Sequence, residues 1–233
     1  MSATATVETG KALAKRTASS KIGALAGLAF AFCYFVGVAM LEIPESAADE
    51  ELVAWWSDSG NQTTAVVSMY LFVLAGLCFL VFLVKLRSRL LAAEGGAGEL
   101  TALVLAGGIV FVSMLFVAAA SRGVIGFAVK SPVNDESLPG PDTLRYLPQI
   151  GYAITGTGGL LAAALTMAAT SWLIVRTSVF GRWLAWIGAV AAVLVVVASA
   201  LLAGVLAIPA LLVWALATSV ALWRGQTLPA HAA

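Results

Sequence analysis

Few side chains in this 233-residue chain are equipped for chemistry, and their placement narrows it further. The two cysteines, Cys33 and Cys78, both stand in the middle of apolar runs. Apolar surroundings raise a thiol's pKa and leave it inert, so both are expected to pack rather than form a disulfide. The one histidine, His231, is in the C-terminal tail. That leaves no imidazole inside the apolar part for a metal, haem or hydrolase triad. Neither an HExxH helix nor a GxSxG elbow matched to such a histidine is present. No Asp, Glu, His or Lys falls centrally in an apolar run. Proton coupling through a buried carboxylate and a retinal Schiff base therefore lack their main residue. Arg122 is the one charge close to a run. A guanidinium there can snorkel to the interface, pair with an acid such as Glu42, or bind an anionic headgroup or substrate. An enzyme would have to draw on the loops alone, so no enzymatic activity, cofactor or metal site is expected.

The elements that would carry these residues are membrane spans. The chain is 61% hydrophobic and 11% charged, against about 25% charged in soluble domains. An all-α fold follows: a polytopic bundle of six transmembrane helices with a short amphipathic helix outside. Residues 1–20 read as a flexible cytoplasmic tail, and 225–233 as a second one. Between them, residues 21–224 hold spans at about 22–41, 65–84, 101–120 or longer, 150–175, 183–202 and 205–223. The third run stays apolar past Arg122 to Val129. It would be about 43 Å of helix, so it either projects beyond the core or breaks at Gly123 or Gly126. Residues 183–223 contain no charge and are twice too long for one span, which requires a turn, expected at Ala203–Gly204. Pro209 falls early in the last helix and is placed to bend it.

Two segments are expected outside. Residues 42–64 carry six acids and no base. Ser46 can cap a short helix there and Gly60 can end it, with Leu52, Val53, Trp55 and Trp56 on one face. Such a helix should lie flat on the interface, with Trp55 and Trp56 as anchors. The proline-rich segment 131–148 reads as the second external loop. Trp183 and Trp186 flank the short turn on the other side, where an aromatic belt belongs.

Charge sorts the two sides. Ten of thirteen bases, with Lys85, Arg87 and Arg89 clustered after one run, fall on the side of the tails, and nine of twelve acids fall opposite. The excess of Lys and Arg on cytoplasmic loops puts both termini on the cytoplasmic side of the cell membrane. A net charge of +1 gives no case for nucleic acid.

Small residues mark the helix contacts. The first span has Gly23, Gly27 and Ala31 at four-residue spacing. The fourth has two ladders, Gly151–Thr155–Gly159–Ala163 and Gly158–Ala162–Thr166–Thr170. Small residues let backbones approach in lipid, where hydrophobicity does not drive helices together. The fourth span is thus expected at the bundle centre.

Five features resemble a broad family of uncharacterised bacterial six-helix membrane proteins: the acidic helix, FLVKLRSRLLAAEGG, Gly107–Gly108, GRWLAWIG and LLVWALATSVALWR. The resemblance implies fold and membrane location, and it carries over no site residue. The leading functional expectation is a non-enzymatic membrane protein, either a complex subunit or a binder of hydrophobic molecules. Its partners would be the lipid bilayer and either other membrane-protein subunits or a lipid-like ligand. A small transporter built as a three-plus-three inverted repeat is the alternative, to be recognised by a broken helix or polar cavity within the membrane.

Overall fold

Long apolar runs satisfy every backbone group by becoming helices, the stable solution where no water is available. The computed structural model describes residues 2–40, 42–44, 46–131 and 137–224, and for 2–20 and 205 the backbone alone. It is all-helical in these residues. The helices are α1 (Ser2–Met40), α2 (Asp49–Ser57), α3 (Ser59–Glu94), α4 (Glu99–Lys130), α5 (Pro141–Ile154), α6 (Leu160–Thr177), α7 (Arg182–Ala200) and α8 (Ile208–Arg224). A π-helical turn, Thr155–Gly159, joins α5 to α6, so Pro141–Thr177 is one long helix. Five helices are long and apolar enough to cross a membrane, and the 17-residue Ile208–Arg224 is a shorter companion.

These helices stand in a ring that follows chain order. Helix α1 packs on α3, α3 on α4, α4 on α6, α6 on α7, α7 on α8, and α8 returns to α1. Glycines set the spacing. Gly23 and Gly27 of α1 are buried, Gly23 against Lys85 and Leu222, Gly27 against Ser219 and Phe82. A Cβ at Gly107 would come within 2.9 Å of the Ala162 carbonyl oxygen. Rings from α1, α3, α4 and α8 plug the middle. Phe79 lies 4.8 Å from Phe30 and 5.1 Å from Phe111 between centroids, and Phe82 lies 6.0 Å from Trp214. Large apolar side chains such as Leu25, Phe32, Phe35, Leu161 and Val193 are exposed around the outside, as a lipid-facing surface requires.

One end of the ring is basic, with Lys85, Arg87, Arg89, Arg176, Arg182 and Arg224 at the adjoining helix termini. The α3–α4 turn at this end has positive φ at Gly95, Gly96 and Gly98, which glycine adopts without strain. Glu94 then caps α4 by accepting from the Leu100 and Thr101 amides at 2.9 Å and from the Thr101 hydroxyl. The opposite end is acidic and carries α2.

Several boundaries differ from the expectations. The first helix reaches back to Ser2, so the segment 2–20 expected as a tail has a helical backbone, in keeping with its lack of proline and its good helix formers. The 225–233 tail and His231 lie outside the described residues. Ser46 does not cap α2, and Gly60 does not end it. Asp58 alone separates α2 from α3 and caps α3 by accepting from the Asn61 amide at 2.9 Å, which makes Gly60 part of that helix. The third span breaks at neither Gly123 nor Gly126. Both are contact points with α3: a Cβ would meet Met69 at the first, and the Gln62 carbonyl oxygen at 2.6 Å at the second. The expected loop 131–148 ends early. Gly140 and Pro141 start a helix there, because proline at the first helical turn loses no hydrogen bond. Pro209 is likewise at the start of α8, where it breaks nothing.

Candidate functional site: a cavity around Arg122

The π turn has the sequence TGTGG. Glycine and β-branched threonine are weak helix formers, and both threonines bond back to the preceding turn. Thr155 Oγ1 donates to the Gly151 carbonyl at 2.9 Å and Thr157 Oγ1 to the Ala153 carbonyl at 2.6 Å. The Leu160 amide reaches to the Thr155 carbonyl, one residue farther than in an α-helix. Such single π turns are frequent at functional sites. Beside this one, the connection between α7 and α8 turns at Leu201–Ala203 and continues as a 3-10 turn, Gly204–Ala207. The two meet glycine to glycine, for a Cβ on Gly204 would lie 2.9 Å from the Gly156 Cα.

Between the π turn, this hairpin tip and the helices α1, α3 and α4 lies a cavity of about 580 Å³. Tyr34, Phe72, Leu115 and Leu160 supply apolar and aromatic wall, while Gln149, Tyr152, Thr155, Thr157 and Ser199 bring polar groups. That volume and mixture is typical of small-molecule sites, which span about 300–1,000 Å³. Toward the basic end the cavity is closed. Tyr34 and Phe72 stack edge to face at 5.4 Å, and Phe30 below Tyr34 begins the aromatic plug.

Arg122 projects into this space. It is 8% exposed, so it neither snorkels to an interface nor pairs with Glu42 as the sequence suggested it could. The reason is its depth: α4 continues to Lys130, more than two turns beyond. Among the described residues the Tyr152 hydroxyl, at 2.9 Å, is its one hydrogen-bond partner, and no carboxylate reaches it. Its guanidinium lies over the Tyr152 ring at 4.3 Å and the Phe72 ring at 5.2 Å. Cation–π contacts of this kind are worth about 0.5–2 kcal/mol each, against several kcal/mol for desolvating the ion. The Arg122 Nε and the Ser199 hydroxyl, both buried, have no partner. Among the described residues no three His, Cys, Asp or Glu side chains come together in a metal-binding group.

The other residues singled out in the sequence fall elsewhere. Gly151 is buried against Arg122 and the Ala118 carbonyl oxygen, each 2.9 Å from where a Cβ would be. Gly158 is half-buried and Gly159 buried, both facing Met114 of α4, but at 3.7 Å and 3.4 Å a Cβ would fit. Ala162 and Ala163 are in the main core. Pro141–Thr177 is 61% buried over its most apolar window, more than the 39–44% of the other four long helices. Trp183 and Trp186 are exposed, as anchors would be. Trp56 is not an anchor of that kind. It is fully buried in a separate small core with Leu52, Ala65, Ile125 and Leu144, and Trp55 packs edge to face on it at 4.9 Å. Helix α2 is held down by protein rather than lipid alone: Arg145 of α5 bonds Asp49 at 2.7 Å and the Ala47 carbonyl at 3.0 Å.

Tyr34, Tyr152 and Ser199 carry no sequence signal that separates them from other polar residues in apolar helices. The TGTGG segment did carry one, since two threonines and three glycines in succession are poor material for an undisturbed span. No protein-family model, curated protein or solved structure matches the chain.

Proposed function

We propose that this is a six-span protein of the cytoplasmic membrane that binds a hydrophobic small molecule in the cavity around Arg122, without catalysing a reaction. The observation that carries the reading is the cavity itself, roomy, mostly apolar, and closed toward the basic end by aromatic rings. Helix α8 counts as the sixth span, because its 17 residues and the four-residue 3-10 turn before it together reach the thickness of the hydrocarbon core, about 30 Å. The basic end faces the cytoplasm under the positive-inside rule, so the cavity belongs to the outer half of the bundle. Membership of the six-helix family suggested by the basic turn and tryptophan motifs is part of the same proposal.

Purification in native-lipid nanodiscs tests the reading. A small molecule should accompany the wild-type protein and be lost from Ala153→Phe, whose exposed side chain lines the cavity and can fill it without disturbing the core. Equal recovery from both proteins, or none from either, would defeat it. The transporter reading is favoured by one observation, the π turn that interrupts the helix beside the cavity. It requires the Phe30–Phe79–Phe111 plug to open, and uptake by proteoliposomes of the molecule recovered from nanodiscs distinguishes it from a static binder.

A further inference from the structure

We infer that the cavity takes an amphiphile whose anionic oxygen head, a carboxylate or phosphate, sits on Arg122 and whose apolar tail leaves past the tip of the α7–α8 hairpin. The inference rests on reading the cavity as a binding site and adds the class of ligand. The guanidinium carbon lies 4.3 Å from the Tyr152 ring centre and 5.2 Å from that of Phe72, and ring contacts of this kind use up none of the in-plane N–H donors. Five N–H donors are available, of which the Tyr152 hydroxyl takes one from Nη2. An oxyanion matches the geometry of the remainder, and it would neutralise a charge that no carboxylate among the described residues neutralises. The Ser199 hydroxyl, 6% exposed and without a partner, waits in the same cavity as a second donor.

The tail is assigned from the rim. Turns are normally built from Gly, Asn, Asp, Pro and Ser, but this one presents Leu201, Leu202 and Leu206, which are 72%, 87% and 73% exposed. Leu202 lines the cavity and has φ 56°, a conformation that glycine would adopt without strain. A leucine there carries a backbone cost that glycine would avoid, and in return sets a large apolar side chain on the rim. An apolar rim beside a buried cation describes an amphiphile lying half in the cavity and half in the surrounding leaflet. A free oxyanion would use the arginine and leave the leucines without a role.

Displacement of radiolabelled dodecanoate from the full-length protein in phosphatidylcholine nanodiscs, corrected with empty discs, tests this. Dodecanoate or dodecyl phosphate should bind at least tenfold more tightly than dodecanol or dodecylammonium, and the better of the two identifies the head. Inorganic phosphate and acetate should not compete at the same concentrations. Arg122→Gln should bring dodecanoate down to the affinity of dodecanol, while dodecanol itself is unchanged. The head series is read on wild-type protein, so it decides the matter even where Arg122→Gln does not fold. Equal binding of dodecanol and both anions overturns the head assignment and leaves the cavity reading standing. Full competition by inorganic phosphate or acetate overturns the tail. Failure of every amphiphile to bind overturns the cavity reading as well.

Discussion

At Gly126 and Gly107 it is backbone that occupies the place of a side chain, with carbonyl oxygens 2.6 Å and 2.9 Å from where a Cβ would stand. Backbone cannot turn aside as a flexible side chain can. Alanine at either position should therefore cost about 1–3 kcal/mol and lower the unfolding temperature in detergent. Gly158→Ala should not, because its nearest neighbour would be the Met114 sulfur at an ordinary 3.7 Å. If all three variants melt together, close approach at these glycines is not what holds the helices. The thiols make a second comparison. Cys33 is 7% exposed, so a membrane-impermeant maleimide should label it slowly in the folded protein, and fast labelling would show that water reaches the core. At this scale the sequence was legible in kind but not in position. Four-residue spacing showed that small residues would meet other helices, but the tightest contacts depend on where the partner helix crosses. Arg122 stood out as the one charge near a span, and its depth follows from a helix continuing to Lys130, one of the two courses that the apolar run to Val129 left open.

Between elements, the small core under α2 makes a sharp contrast among tryptophans of one type. Trp56→Ala should cost about 3–5 kcal/mol, the range for emptying a buried aromatic site. Trp186→Ala, at 72% exposed, should leave the unfolding temperature nearly unchanged. Asp49→Ala removes an ion pair whose acid is 66% exposed, worth about 0.2–1 kcal/mol in such surroundings, so α2 should stay docked. Thermal unfolding of the three variants in one detergent provides the ranking, and an Asp49→Ala loss as large as that of Trp56→Ala would contradict it. Periodicity and length made the helices themselves legible. Their ends were less so, because Asp58 serves two helices at once and Pro141 begins a helix inside what reads as a proline-rich loop. The small core was hidden for a different reason: Leu52, Ala65, Ile125 and Leu144 are brought together only by the fold.

For the whole molecule, charge sorting was the most legible property, and the structure gathers Lys85, Arg87, Arg89, Arg176, Arg182 and Arg224 at one end of the ring. The proposed orientation has a direct check in two exposed turns. Cysteine introduced at Ala97 should be protected from an impermeant reagent in intact cells, whereas cysteine at Gly140 should react, each against the parent background. The reverse pattern would place the cavity toward the cytoplasm. The ring itself was not legible. Nothing in the sequence of α1 identifies α8 as its neighbour, since complementary packing of Gly27 with Ser219 leaves no pattern along the chain.

That closure has a consequence for biogenesis. Synthesis proceeds from the N-terminus, and domains assemble in that order as they emerge. Helix α1 is made first, but one of its two flanking partners, α8, is made last. Until then the groove at Gly23 and Gly27 must be covered by lipid or by an insertion chaperone. A product stopped after Ala200 should reach the membrane with that groove still open and be cleared by quality-control proteolysis. Supplying residues 201–233 as a separate chain should restore its abundance. Pulse-chase comparison of the truncated chain, alone and with the missing fragment, would show whether the last helix seals the protein against degradation.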